Sequence, residues 1–180
     1  MGARKLDPTR LDVAALAAEG VSLSGQWAAS ELDRWCAMQT PALGAAPAPV
    51  QWSVRGEQRR AVGAPPQIWL HLHAKTTAWP TCQRCLRPFS QDLVVDRALR
   101  FVDSEAQAEA LDADSEDDVL ALEPALDLRT LAEDELLLAW PIVPRHALCA
   151  APDHRAGDDG GPSANPFAAL ASLKPPAAGG

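Results

Sequence analysis

Apolar residues recur at spacing two in four stretches of the chain. These are Val21, Leu23, Gly25 and Trp27; then Val50, Trp52 and Val54; then Ile68, Leu70, Leu72 and Ala74; then Leu93, Val95, Leu99 and Phe101. Period two places each set on one face of a pleated strand, so strands are predicted over 21–27, 50–56, 68–79 and 89–102. In the third strand Trp69, His71, His73 and Lys75 take the opposite face. Residues 80–88, between the last two strands, are too few for a parallel crossover, so those strands pair antiparallel.

Elsewhere the period is helical. Asp127 is an N-cap for a helix over 128–139, with Leu128, Leu131, Ala132, Leu136 and Leu138 turned inward. Pro141 ends it, because proline disfavours the helical conformation in the residue before it. Thr9 is read as the cap of a helix through Leu11, Ala14, Ala15 and Ala18 that stops at Gly20. Ser30 opens a second helix with Leu32, Trp35 and Cys36 on one side, Cys36 reading as a small core residue. The resulting fold class is α+β: a twisted antiparallel sheet with helices packed on it. Residues 1–150 form the single domain, with a low-complexity insert at 41–49. Residues 103–118 hold eight acids and no base, and read as a flexible acidic loop or a frayed helix. Residues 151–180 read as a flexible linker, a short docking helix over 166–174 and a tail.

Composition narrows the class. Hydrophobic residues make up 47% and charged residues 22% of the 180, which excludes a wholly disordered chain, a collagen and a coiled coil. No apolar run approaches the ~18 residues of a membrane span, and residues 1–6 lack a signal pattern, so a cytoplasmic protein with no membrane partner is expected. The net charge of −8 is segregated. Residues 51–100 carry eight Lys/Arg and three Asp/Glu, whereas residues 101–140 carry one Arg and thirteen acids. Such a chain can present a basic face to a polyanion while staying acidic overall.

The sharpest chemical feature is Cys82-Gln83-Arg84-Cys85. Two thiolates at this spacing suit a tetrahedral metal site or a redox disulfide. There is no second CxxC, and the further candidate ligands, Cys149, His146 and His154, stand at irregular spacing. The ligand set therefore reads as incomplete, and no metal or other cofactor is expected, with zinc as the alternative. Arg84 and Arg87 on the same turn could grip phosphate oxygens bidentately. His71, His73 and Lys75, beside Trp69 and Trp79, combine charge for phosphates with rings for bases; the competing reading puts the two Trp in the core and the two His in solvent. These five basic residues are the candidate RNA or partner contacts. Phosphate-cradling, metalloprotease and hydrolase motifs are lacking. Glu133-Asp134-Glu135 cannot converge on one substrate, since successive helical residues point apart; a solvated edge, or one that binds the Arg of a partner protein, is expected. Neither an enzyme nor a small-molecule substrate is expected.

Four segments in order carry a resemblance. They are CQRCLRPF from Cys82, DLRTLAEDELLLA from Asp127, PIVPRH from Pro141 with Cys149 beyond it, and NPFAALASLK from Asn165. Together they resemble the YceD family of large ribosomal RNA subunit accumulation proteins, in its proteobacterial form, over about 6–174. The resemblance implies a cytosolic, non-enzymatic factor for synthesis, processing or stability of 23S ribosomal RNA. Its partners would be precursor rRNA, an rRNA-processing protein, or both. An adaptor in ribosome assembly that never touches RNA is the competing reading.

Overall fold

A computed structural model describes residues 6–41, 45–60, 62–113 and 117–149. In chain order the elements are α1 (Val13–Glu19), β1 (Ser22–Trp27), a 3-10 turn (Ala29–Glu31), α2 (Asp33–Ala37), β2 (Val50–Arg59), β3 (Gln67–Ala78), β4 (Gln91–Val102), α3 (Glu105–Asp112), β5 (Asp118–Ala121) and α4 (Leu128–Leu138). The strands form one sheet in the order β1-β2-β3-β4-β5. The first three pairings are antiparallel, as expected, whereas β4 and β5 run parallel, so the sheet is mixed.

The parallel pair comes from the acidic stretch. Ser104 accepts from the Gln107 amide and starts α3, with Glu105 in the positive first turn. The helix buries Ala108 and carries the chain back, so β5 starts beside Leu99 rather than hairpinning after Val102. Residues expected to form a loop or frayed helix thus supply the crossover that parallel pairing requires.

One face of the sheet is the core side. Trp27, Val50, Trp52, Val54, Leu70, Leu72, Ala74, Leu93, Val95, Leu99 and Phe101 are buried there with Val13 and Leu16 of α1, Trp35 of α2, and Leu128, Ala132 and Leu136 of α4. The close approach of α1 to β2 depends on Gly56, where a Cβ would lie 2.4 Å from the Leu16 carbonyl oxygen. The α1 cap is Asp12, accepting from the Ala15 amide, not Thr9, whose amide and hydroxyl both donate to Asp7. Gly20 ends the helix in the left-handed conformation at φ +63°.

The α4 helix begins at Asp127 as expected, but its buried stripe differs. Leu131 is half-buried and Leu138 is 71% exposed, while Glu133 and Glu135 are each only 8% exposed. These carboxylates are buried because each has donors within reach. Arg34 donates to Glu133 and Asp134, the Trp35 amide donates to Glu133 at 3.0 Å, and Arg97 donates to Glu135 at 3.0 Å. The triplet pins α4 to α2 and to β4 within the chain. Cys36 is half-buried rather than core. No helix among the described residues is long and apolar enough to cross a membrane. The expected linker and docking helix over 151–180 lie outside the described residues.

Candidate functional site

The connection from β3 to β4 is a tight turn. Thr81 and Pro88 bridge its two arms; the Cys82 amide donates to the Arg87 carbonyl at 3.0 Å, and the Leu86 amide to the Cys82 carbonyl at 2.8 Å. Closing it this sharply places Leu86 at φ +57°, the left-handed region a side chain seldom occupies. Both cysteines then face one side, Cys82 fully buried and Cys85 half-buried.

The chain returns to this turn after α4. The Gln83 amide donates to the Pro144 carbonyl at 2.9 Å, which brings His146 and Cys149 against the turn. Phe89 packs on the His146 ring with centroids 4.5 Å apart. Cys82 Sγ lies 3.7 Å from Cys149 Sγ, and Cys85 Sγ 3.4 Å from His146 Nδ1. All four candidate ligand atoms lie within 4.8 Å of one another. The set that looks incomplete by spacing is therefore complete in space: three sulfurs and an imidazole nitrogen. Burial opposes a charge on Cys82, but backbone N–H groups of His146, Cys85 and Arg84, and the His146 ring, outweigh it and lower its pKa to about 5. Burial and the neighbouring Cys82 and Cys85 sulfurs push the Cys149 thiol up.

Both turn arginines are exposed. Arg84 donates to the Cys149 carbonyl at 2.9 Å, and among the described residues neither Arg84 nor Arg87 pairs with a carboxylate. The described residues of the acidic segment do not pair with either arginine, and Asp118 pairs instead with Arg97.

The other three candidates line the outer face of the sheet and fare unequally. His73 and Lys75 are exposed. His71 is half-buried and held by Glu57, which also takes Arg59 and Arg55. Arg59 and His71 together lower the Glu57 carboxyl to about 2. A groove of about 280 Å³ is lined by Ser22, Ser53, Arg55, His71, His73 and Asp96, among others. Trp69 does not offer a free ring: it is 3% exposed, its indole N–H donates to Gln67, and the Arg59 guanidinium lies 3.9 Å from the ring centre. Trp79 is half-buried.

Sequence reasoning misses the apolar side chains around the cluster. Leu86, Ile142 and Leu148 are 68%, 98% and 93% exposed. Residues 141–149 show neither period two nor period 3.6, so the pattern predicts no element there and assigns no face.

The family model described as "Large ribosomal RNA subunit accumulation protein YceD" matches residues 70–174. That span is more than half of the chain and includes β4, α3, β5, α4, most of β3 and all four clustered ligands. No solved structure matches. The family description carries a role in accumulation of the large-subunit ribosomal RNA. The family that the four ordered motifs resemble is the one that matches, and the chain belongs to the YceD family.

Proposed function

We propose that this chain supports large-subunit ribosomal RNA without catalysing a reaction, through a localised contact between the β3–β4 turn and RNA phosphates. The observation that carries this reading is the pair Arg84 and Arg87, exposed on a closed turn and free of carboxylate partners among the described residues. A guanidinium so placed can take two phosphate oxygens at once. Lys75 and His73 extend the basic character onto the adjoining sheet face. The net charge of −8 repels a polyanion at long range, which favours a few close contacts over non-specific coating. The carboxylates of α4 are engaged by Arg34 and Arg97, which supports a non-catalytic role for that helix.

Binding of purified protein to 23S rRNA fragments across a salt series tests this. Affinity should fall steeply with salt, and Arg84→Ala with Arg87→Ala should flatten the log–log slope by ~1 unit for each phosphate no longer neutralised. An unchanged slope in the double variant would remove the arginines from the reading. The exposed Leu86, Ile142 and Leu148 favour a second reading, in which the same region docks on an RNA-handling protein. Absence of RNA binding at low salt, together with an assembly factor that co-purifies with the wild-type chain but not with Leu86→Ser, would select it.

A further inference from the structure

Residues 141–149 cross the β3–β4 turn without regular structure, and burial of apolar side chains does not explain why they stay there. Pro144 is buried, but Ile142, Val143 and Leu148 point their apolar surface to solvent. The groups directed at the turn are His146 and Cys149. A segment that turns its polar, metal-binding side chains inward and its apolar ones outward is organised around a centre other than a hydrophobic core.

We propose that Cys82, Cys85 and Cys149 through Sγ, and His146 through Nδ1, bind one structural Zn²⁺ that clasps residues 141–149 to the β3–β4 turn. Three sulfurs and one nitrogen form a standard tetrahedral zinc set, and four protein ligands leave no open position for catalysis. The spacing fits. Zinc–sulfur bonds of ~2.3 Å at tetrahedral angles put neighbouring sulfurs about 3.8 Å apart, and a sulfur and an imidazole nitrogen about 3.6 Å apart. The corresponding separations are 3.7 Å for Cys82–Cys149 and 3.4 Å for Cys85–His146. The widest separations, within 4.8 Å, need to close by about 1 Å at most.

The surroundings match as well. The Arg84 amide points at Cys82 Sγ at 3.5 Å, an N–H to sulfur contact that stabilises a bound thiolate. The left-handed Leu86 closes the turn that creates this contact. Phe89 orients the His146 ring. On binding, the three sulfurs coordinate as thiolates, releasing to solvent any proton they still carry, and His146 coordinates through the Nδ1 lone pair, so no electrons are transferred. Zn²⁺ with three thiolates leaves one negative charge, and the Arg84 guanidinium is held beside it on the Cys149 carbonyl.

The test uses the full chain purified without a histidine tag. Elemental analysis should find about one zinc per chain, and Co²⁺ exchanged into the site should show the visible absorption of a tetrahedral thiolate complex. Cys149→Ser and His146→Ala should each lower zinc retention at least tenfold under chelator competition, whereas Cys36→Ser should retain it. Zinc below about half an equivalent after reconstitution of the reduced chain, or equal retention in all three variants, would overturn the proposal. So would a Cys82–Cys149 disulfide in protein isolated under reducing conditions. Should Cys149→Ser or His146→Ala fail to fold, the wild-type stoichiometry and the cobalt spectrum still decide. RNA enters none of these readouts, so the result stands apart from the proposed RNA contact.

Discussion

The core face of the sheet and the tip of its β3–β4 hairpin are held by opposite means. On the core face, strand residues such as Trp52, Leu72 and Leu99 interlock with α1, α2 and α4, and area removed from water does most of the stabilising. At the tip, residues 141–149 meet the turn through the backbone hydrogen bond from Gln83 to Pro144 and four candidate ligand side chains, with much of their apolar surface exposed. The first region should tolerate removal of any single surface hydrogen bond. The second should be ordered only while its ligand atoms are held together. The proposed RNA contact lies in the second, where the exposed arginines are.

The largest expected effect is at the core. Leu136→Asp buries an unpaired charge among fully buried side chains, and should cost several kcal/mol and abolish the cooperative thermal transition seen by circular dichroism. An unchanged melt would show that α4 is not integral to the sheet. Gly56→Ala puts a methyl group where the α1 backbone already lies, and should lower stability by about 1–3 kcal/mol in denaturant titration. Glu133→Ala leaves the buried Trp35 amide without its acceptor; a comparable drop of about 1–3 kcal/mol is expected, with the sheet retained.

Removal of the proposed zinc would separate the two regions directly. After chelation, amides over 81–89 and 142–149 should exchange with deuterium faster, while those of β2 and β3 keep their protection. A uniform fall in protection would mean that tip and core unfold as one unit. The smallest effect is one of pH. The folded Glu57 carboxyl sits near 2, below its usual 4.5, so it adds stability that is full above 4.5 and is lost as pH falls through 2. Because the group is exposed to water the contribution is small, and Glu57→Gln should flatten the acid limb of the stability curve only slightly.

Much of this architecture is legible in local pattern. The spacing of Leu70, Leu72 and Ala74 matches the buried face of β3, and Asp127 starts α4. Pattern fails where a partner distant in sequence decides the outcome. Glu133 and Glu135 read as surface charges until Arg34 and Arg97 are placed beside them. Trp69 reads either as a base-stacking ring or as core, and only the fold shows it buried with Arg59 over its face. The parallel β5 escapes local reading because its pairing depends on where α3 delivers the chain.

For this protein, local sequence determined the four antiparallel strands, the α4 cap, the family and the positions of the basic residues, because periodicity, capping and motif order are encoded over short distances. Tertiary structure alone decided that Cys82 and Cys85 stand beside two further candidate ligands. His146 and Cys149 lie about sixty residues further on, and only the return of the chain past α4 brings their donor atoms within 4.8 Å of those on the turn.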